Sequence, residues 1–342
     1  MLHIDGSYGE GGGQILRTAV SLSVLTQTPV KIDHIRSNRS NPGLRPQHYT
    51  ALSIMKQLSD AETTGLSVAS SAVTFKPRRL CSGSFEFDIG TAGSMVLVFQ
   101  TILLGMIFTK KPVTIRLRGG SDVRWAPSWD YFSHVFLPVV RGMGVSVSVQ
   151  LLKRGYYPKG GGEAELTIEP MKNELSPVFF SDYQPRTIHG HIHLGNLPDH
   201  IAKRMKHSVL KKAVEHDVTV TIQTERSDTD SSGVVLTLWS AADGGMIGSV
   251  GLGERGVPAE KIASIAVDSL IFDMSCGASI DPFLCDQILP YVGLAKDDSV
   301  FRVRTLSGHA ATNLLTLKQF FPDLNMLFVK DKDCMRLMKK TD

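Results

Sequence analysis

One order of elements recurs along this 342-residue sequence: strand, small-residue turn, helix, strand, turn, helix, then a pair of strands. Such recurrence restricts the fold strongly, because a unit that cannot bury its apolar face alone must stack on its neighbours. In the first copy Leu2–Asp5 is β-like, Gly6–Gly13 holds five glycines, and 14–25 carries apolar residues at helical spacing. Residues 29–35 alternate as a strand, 47–58 read as a helix, and strand-like runs near 65–69 and 72–76 close the unit. The second copy has strand 85–89, turn 90–94, helix 95–108, strand 112–118, a helix near 128–142, and a strand pair at 145–152 and 163–168. The third has helix 282–292, strand 299–306, helix 310–320 and a strand pair at 325–329 and 334–337. Its opening strand is displaced, and 177–180 is the candidate for it.

The expected fold is therefore α/β, with helices layered on small sheets in three βαβαββ units of roughly 70–85 residues. Their expected bounds are about 1–80, 81–172, and 173–185 together with 277–342. Between the two pieces of the third unit, 186–276 carries its own strands and helices, and is expected to be a small inserted α/β domain.

Charged residues make up 20% of the chain and hydrophobic ones 42%, the balance of a soluble globular enzyme. A net charge of +4 is too small to establish a nucleic-acid partner by itself. Cys81, Cys276, Cys285 and Cys334 show no C-x-x-C spacing, which favours reduced thiols over a disulfide framework or zinc ribbon. The first residues lack a basic-then-apolar leader pattern, and the apolar run 95–108 is too short to span a bilayer. The expectation is a cytoplasmic protein that does not enter a membrane, with its oligomeric state open.

The most informative local stretch is Ser307-Gly308-His309-Ala310-Ala311-Thr312-Asn313, between a strand and a helix. It puts His309 near a helix N-terminus, where free N–H groups attract phosphate and the dipole disfavours an imidazolium. A neutral, nucleophilic histidine beside an anion is one reading, and a histidine that only caps a turn is the other. Glu10 lies in Gly9-Glu10-Gly11-Gly12-Gly13-Gln14, which fits neither the Rossmann nor the Walker spacing. It could hold a hard cation against phosphate oxygens or be a solvated turn residue. Arg17, Arg36, Arg39, Arg45 and His48 fall in two adjacent helix–turn units, and arginine forks suit phosphate. Arg36 and Arg39 share a turn with Asn38 and Asn41, as in a ligand-facing loop. Lys153 to Gly162 form a basic, tyrosine-bearing loop with more glycine than a hairpin needs. His189, His191 and His193 share one strand face, expected to be exposed to solvent rather than to bind metal. Asp281, Asp286 and Gln287 flank or occupy the helix before the His309 strand, to orient a nucleotide or to cap and solvate that helix.

Four of these segments, in this order, resemble the RNA 3′-terminal phosphate cyclase family: Gly9–Arg17, Ile35–Leu44, Arg154–Gly162 and Ser307–Asn313. The third resembles the family signature, with Ala164 where that pattern has Leu, Ile or Val. The resemblance implies the three-unit fold with a small insert. It also implies an enzyme using ATP and a divalent metal (Mg²⁺ or Mn²⁺) to turn an RNA 3′-phosphate into a 2′,3′-cyclic phosphate, with release of AMP and pyrophosphate. By matching motif, His309 would be the adenylated residue and Glu10 a metal ligand. Arg17, Arg36 and Arg39, with Gln47 nearby, would neutralise phosphates. Gln100 and the segment Phe283-Leu284-Cys285-Asp286-Gln287 would contact the nucleotide. Phe283 stands where the family usually has Tyr, which keeps stacking and removes a phenol hydrogen bond. Ribosome-assembly relatives that bind RNA without catalysis, and enolpyruvyl transferases of similar repeat design, are the rival readings. His309, Glu10 and the arginines argue against the first.

Overall fold

The structure is a computed structural model that describes residues 1–9, 11–181, 183, 187–242 and 244–340. Its first sheet is built from β1 (Leu2–Asp5), β2 (Val30–Asp33), β3 (Glu62–Thr64) and β4 (Val73–Lys76), in the order β1-β2-β4-β3. β1 and β2 are parallel, and the two other pairings are antiparallel. The parallel pair needs a crossover, which α1 (Gly13–Thr26) supplies, and α2 (Pro46–Leu58) links β2 to the closing hairpin. The strand expected near 65–69 instead lies at β3, because Gly65 and Ala69 both adopt left-handed backbone and turn the chain.

The second sheet repeats this plan with β5 (Gly83–Asp88), β6 (Val113–Gly119), β7 (Val147–Lys153) and β8 (Gly162–Ile168), ordered β5-β6-β8-β7. β5 and β6 are parallel and the rest antiparallel. Strict alternation fixes the faces: Val113, Ile115 and Leu117 are buried, while Arg116 and Arg118 face outward toward Glu163. α3 (Met95–Met106) is buried almost all round, as its apolar sequence, broken only by Gln100 and Thr101, requires, and Ser94 caps it by accepting from the Leu97 N–H at 3.2 Å. The helix expected over 128–142 is interrupted: α4 (Trp129–Tyr131) passes through a π-helical turn, Phe132–Phe136, into α5 (Leu137–Gly142). Phe132 stacks on both Phe99 and Phe136 there.

The insert follows: β9 (Thr187–Gly195), α6 (His200–Glu215), β10 (Thr219–Ser227), β11 (Gly233–Ala242), β12 (Gly245–Leu252) and α7 (Ala259–Ser275). Its strand order is β10-β9-β11-β12. Ile188, Ile192, Met205, Val209, Leu236 and Val267 belong to an apolar cluster distinct from the one that unites the other sheets and helices. The expected start of this insert falls on 184–186, outside the described residues.

The C-terminal part has α8 (Pro282–Leu294), β13 (Ser299–Val303), α9 (Gly308–Phe320), β14 (Asn325–Asp331) and β15 (Cys334–Lys340). These strands are ordered β13-β15-β14 and are antiparallel. The expected opening strand is short: Phe179 bridges Val300 in parallel, with Phe180 N–H donating to Val300 at 2.9 Å. The strand expected to reach 306 ends at Val303, and Ser307 then starts the helix. No described helix is long and apolar enough to cross a membrane.

Candidate active site

A cleft of about 710 Å³ opens where α1, α3, α8 and the start of α9 meet. His309, Arg17, Gln100, Phe283, Asp286 and Gln287 all line it. His309 is half-buried in the first turn of α9. Ser307 makes that turn: its hydroxyl accepts from the Ala310 N–H at 3.0 Å and donates to the Asp286 carboxylate. Asn313, one helical turn on, is fully buried. It donates to the Asp286 carbonyl at 2.7 Å and accepts from Thr18 at 2.8 Å and Gln14 at 3.2 Å. The histidine helix is thus fastened to α8 and to α1 by one amide side chain. Gln14 also accepts from the Arg17 guanidinium at 2.6 Å, which holds the arginine at the cleft wall. Loss of hydration lowers Arg17 to about 10, so it stays cationic near neutrality.

The glycine-rich loop has its composition because its neighbours leave no room for side chains. A Cβ on Gly13 would stand 2.1 Å from Nε2 of His48, and one on Gly9, whose φ is +63°, would stand 2.2 Å from Oγ1 of Thr312. The loop is therefore pressed between α2, through His48, and the histidine helix α9. His48 marks the field in that region. Its ring is buried, accepts from the Arg45 N–H at 3.3 Å, and is pushed down to about 3 by burial and then by Arg17, Arg36 and Arg45. Arg36 is lowered too, by burial and by Arg39 and Arg45, and its Nε is buried with no hydrogen-bond partner among the described residues. Three cationic side chains around one neutral ring, with Arg39 beside Arg36, constitute a region of positive potential suited to anions.

The expected nucleotide residues divide. Gln100 donates to Gln287 at 2.5 Å, and Gln287 donates to the Phe283 carbonyl at 2.9 Å, so this amide pair is ordered on the cleft wall. Phe283 is 64% exposed there. Leu284 and Cys285 point the other way, into the apolar core, and do not line the cleft. Gln47 likewise lies off the cleft, where it accepts from the Ser94 N–H at 3.0 Å and so joins α2 to the start of α3. Arg39 packs at the glycine loop, 3.3 Å from where a Cβ on Gly12 would be. Glu10 is outside the described residues. Among the described residues no group of three His, Cys, Asp or Glu side chains could hold a metal ion.

The wall opposite α8 was not anticipated: Val123-Arg124-Trp125-Ala126-Pro127, Tyr131, Val250, Leu252 and Glu254. Periodicity gives no sign of it, since these residues sit in turns and in a strand of the insert. A tryptophan amid turn residues was the one available cue.

The expectation of a solvent-exposed histidine face holds at His189, which is exposed, and fails along the rest of the strand, where His191 is half-buried. His193 is fully buried, with Nδ1 2.7 Å from the Tyr156 hydroxyl and Nε2 2.8 Å from Ser227. His191 sits 3.0 Å from Asp130, and His189 stacks on Trp239. The face is covered at His191 and His193 because the Lys153–Gly162 loop and the start of the π-containing helix pack onto it there. Arg154 of that loop is 4% exposed and bonds Asp122 at 3.2 Å and Asp130 at 2.7 Å. The signature segment therefore clamps the second sheet to the insert.

A family profile described as RNA 3′-terminal phosphate cyclase matches residues 8–324. A Methanosarcina barkeri protein named RNA 3′-terminal phosphate cyclase is 41% identical over 94% of this chain and 94% of its own length. Proteins of the same name from Archaeoglobus fulgidus and Pyrococcus furiosus are each 40% identical over 94% of this chain, covering 95% and 93% of their own lengths. With that match over nearly the whole sequence, and the histidine, arginine and amide positions gathered about one cleft, the chain belongs to the RNA 3′-terminal phosphate cyclase family.

Proposed function

We propose that this protein uses ATP to convert an RNA 3′-terminal phosphate into a 2′,3′-cyclic phosphodiester through a covalent His309–AMP. The observation that carries the reading is the placement of His309 in the first turn of α9, in one cleft with Arg17, Gln100, Phe283 and Gln287. The names of the relatives support the same substrate.

In the first step an imidazole nitrogen of His309 attacks the α-phosphorus of ATP, the bond to the bridging oxygen breaks, and pyrophosphate leaves. Next a 3′-phosphate oxygen of the RNA attacks that phosphorus, the P–N bond breaks, and an RNA-adenylate forms. Finally the terminal 2′-oxygen, losing its proton, attacks the RNA phosphorus and expels AMP. Adenylation is needed because a phosphate oxygen is a poor leaving group and AMP is a good one. The end of α9 and the cations Arg17, Arg36 and Arg39 oppose the charge that gathers on phosphoryl oxygens. Gln100 and Gln287 offer amide groups to the nucleotide and Phe283 a ring face, while Leu284 and Cys285 contribute through backbone and core packing. Gln47 acts at one remove, by holding the turn before α3.

A divalent cation belongs to this reading, with Glu10 as the protein ligand; when bound it would neutralise triphosphate oxygens. The described residues do not make a metal centre by themselves, and none of the steps above is routed through one. The same reading assigns 1–185 with 277–342 to the catalytic body and 186–276 to an inserted domain. It also sets the protein in the cytoplasm, where its four free cysteines suit a reducing environment.

The test is incubation with ATP labelled at the α-phosphate and divalent metal, followed by denaturing electrophoresis. Wild type should take up acid-labile label that a 3′-phosphorylated RNA removes, and folded His309→Ala should take up none. Absence of label on folded wild type with each metal would replace this reading with non-catalytic RNA binding.

A further inference from the structure

We propose that Trp125 is a stacking platform for a base at the 3′ end of the RNA, a substrate-positioning contact that rests on the function proposed above. Three observations converge on it. Its side chain is 93% exposed, so the fold gains almost nothing by burying it. Its φ is +61°, a left-handed conformation unfavourable for a bulky side chain. It nevertheless lines the cleft that contains His309, and its exposure puts it on the rim.

The loop that carries it is anchored at several points. Arg124 forms an ion pair with Glu254 of the insert. Asp122 accepts from the Trp129 N–H at 3.0 Å and is held from behind by Arg154. An indole held out on a fastened loop is pre-organised, so stacking on it loses little conformational freedom. A strained backbone and an exposed indole on a rigid loop together point to an external ring as the missing partner.

RNA fits that partner better than the adenine of ATP. The amide pair Gln100–Gln287 beside Phe283 can read a base edge as well as stack. Trp125 presents a ring face, and the one charged neighbour in its loop, Arg124, is engaged by Glu254. Stacking on a ring face is the sequence-tolerant contact that single-stranded RNA ends use.

The experiment measures binding of a 3′-phosphorylated oligoribonucleotide without ATP, through tryptophan emission and a competition assay, and separately the ATP dependence of self-labelling. The proteins are wild type, Trp125→Ala and Trp125→Phe, and the RNAs carry a base or an abasic residue at the 3′ end. In wild type, RNA should quench emission, and removing the terminal base should weaken binding about tenfold, the loss expected for one stacked base. Trp125→Ala should bind the intact RNA about tenfold more weakly and be indifferent to the abasic change, and Trp125→Phe should recover most of the affinity. The ATP dependence of labelling should shift far less than RNA affinity. Undiminished RNA binding by Trp125→Ala, equal losses for RNA and ATP, or a larger loss for ATP would each overturn the assignment. Because RNA binding is read without catalysis, failure of wild type to label would sink the proposed reaction and leave this contact separately decided.

Discussion

At the level of single residues, His48 gives the sharpest pH prediction. Its ring is neutral in the fold, pushed down to about 3, whereas an unfolded histidine takes up a proton near 6.5. The stability linked to this residue is therefore complete above about pH 6.5 and is lost as pH falls toward 3. Between pH 7 and pH 5 the loss should be about 2 kcal/mol. His48→Gln should be less stable than wild type at pH 7, and urea unfolding should show that difference narrowing by about this amount at pH 5. A constant difference would show that His48 titrates normally in the fold. His309, Arg17, Gln100 and Phe283 were legible in the sequence because motif and turn chemistry are local. The placement of Leu284, Cys285 and Gln47 away from the cleft was not, because which way a helical side chain points within a matching segment depends on what packs against it. Trp125 was missed for a related reason: only the fold reveals that its turn borders the histidine helix.

Among the elements, α8 owes its position to one buried carboxylate. Asp281 caps it by accepting from the Phe283 and Leu284 N–H groups at 2.9 and 3.0 Å. It also accepts from the Tyr131 hydroxyl at 2.8 Å and the Gly248 N–H at 2.9 Å, so the helix start is tied to α4 and to β12. Burial raises its carboxyl to about 6. Asp281→Ala should cost about 3 kcal/mol, since it leaves several buried donors without an acceptor, and should lower self-labelling by displacing Phe283 and Gln287. Full labelling in a destabilised variant would separate the cap from the nucleotide wall. Most elements were readable from alternation and helical spacing. The misplaced ones have specific causes: left-handed Gly65 and Ala69 beyond β3, and a π-helical turn that hydrophobic period does not announce. The burial of His193 escaped because a strand with alternating polar residues looks solvent-facing until another element covers it.

For the whole molecule, the decisive junction is Arg154 with Asp122 and Asp130, to which His191 of the insert is added. Arg154→Met would leave two buried carboxylates uncompensated and should cost about 3–5 kcal/mol. Arg154→Lys should recover little, because an ammonium cannot reproduce the fork that spans both acids. Thermal unfolding of the three proteins checks this, and a stable Arg154→Met would mean the junction is dispensable. A different consequence comes from Asn313, whose bonds to Gln14 and Thr18 span 299 and 295 positions of chain. During synthesis the first two sheets can close while the segment that carries His309 is still inside the ribosome. A nascent chain therefore exposes its arginines to cellular phosphates long before it carries His309, the proposed nucleophile. In the proposed reaction, chemical competence waits until α9 emerges and docks on α1, a helix made some 295 positions earlier.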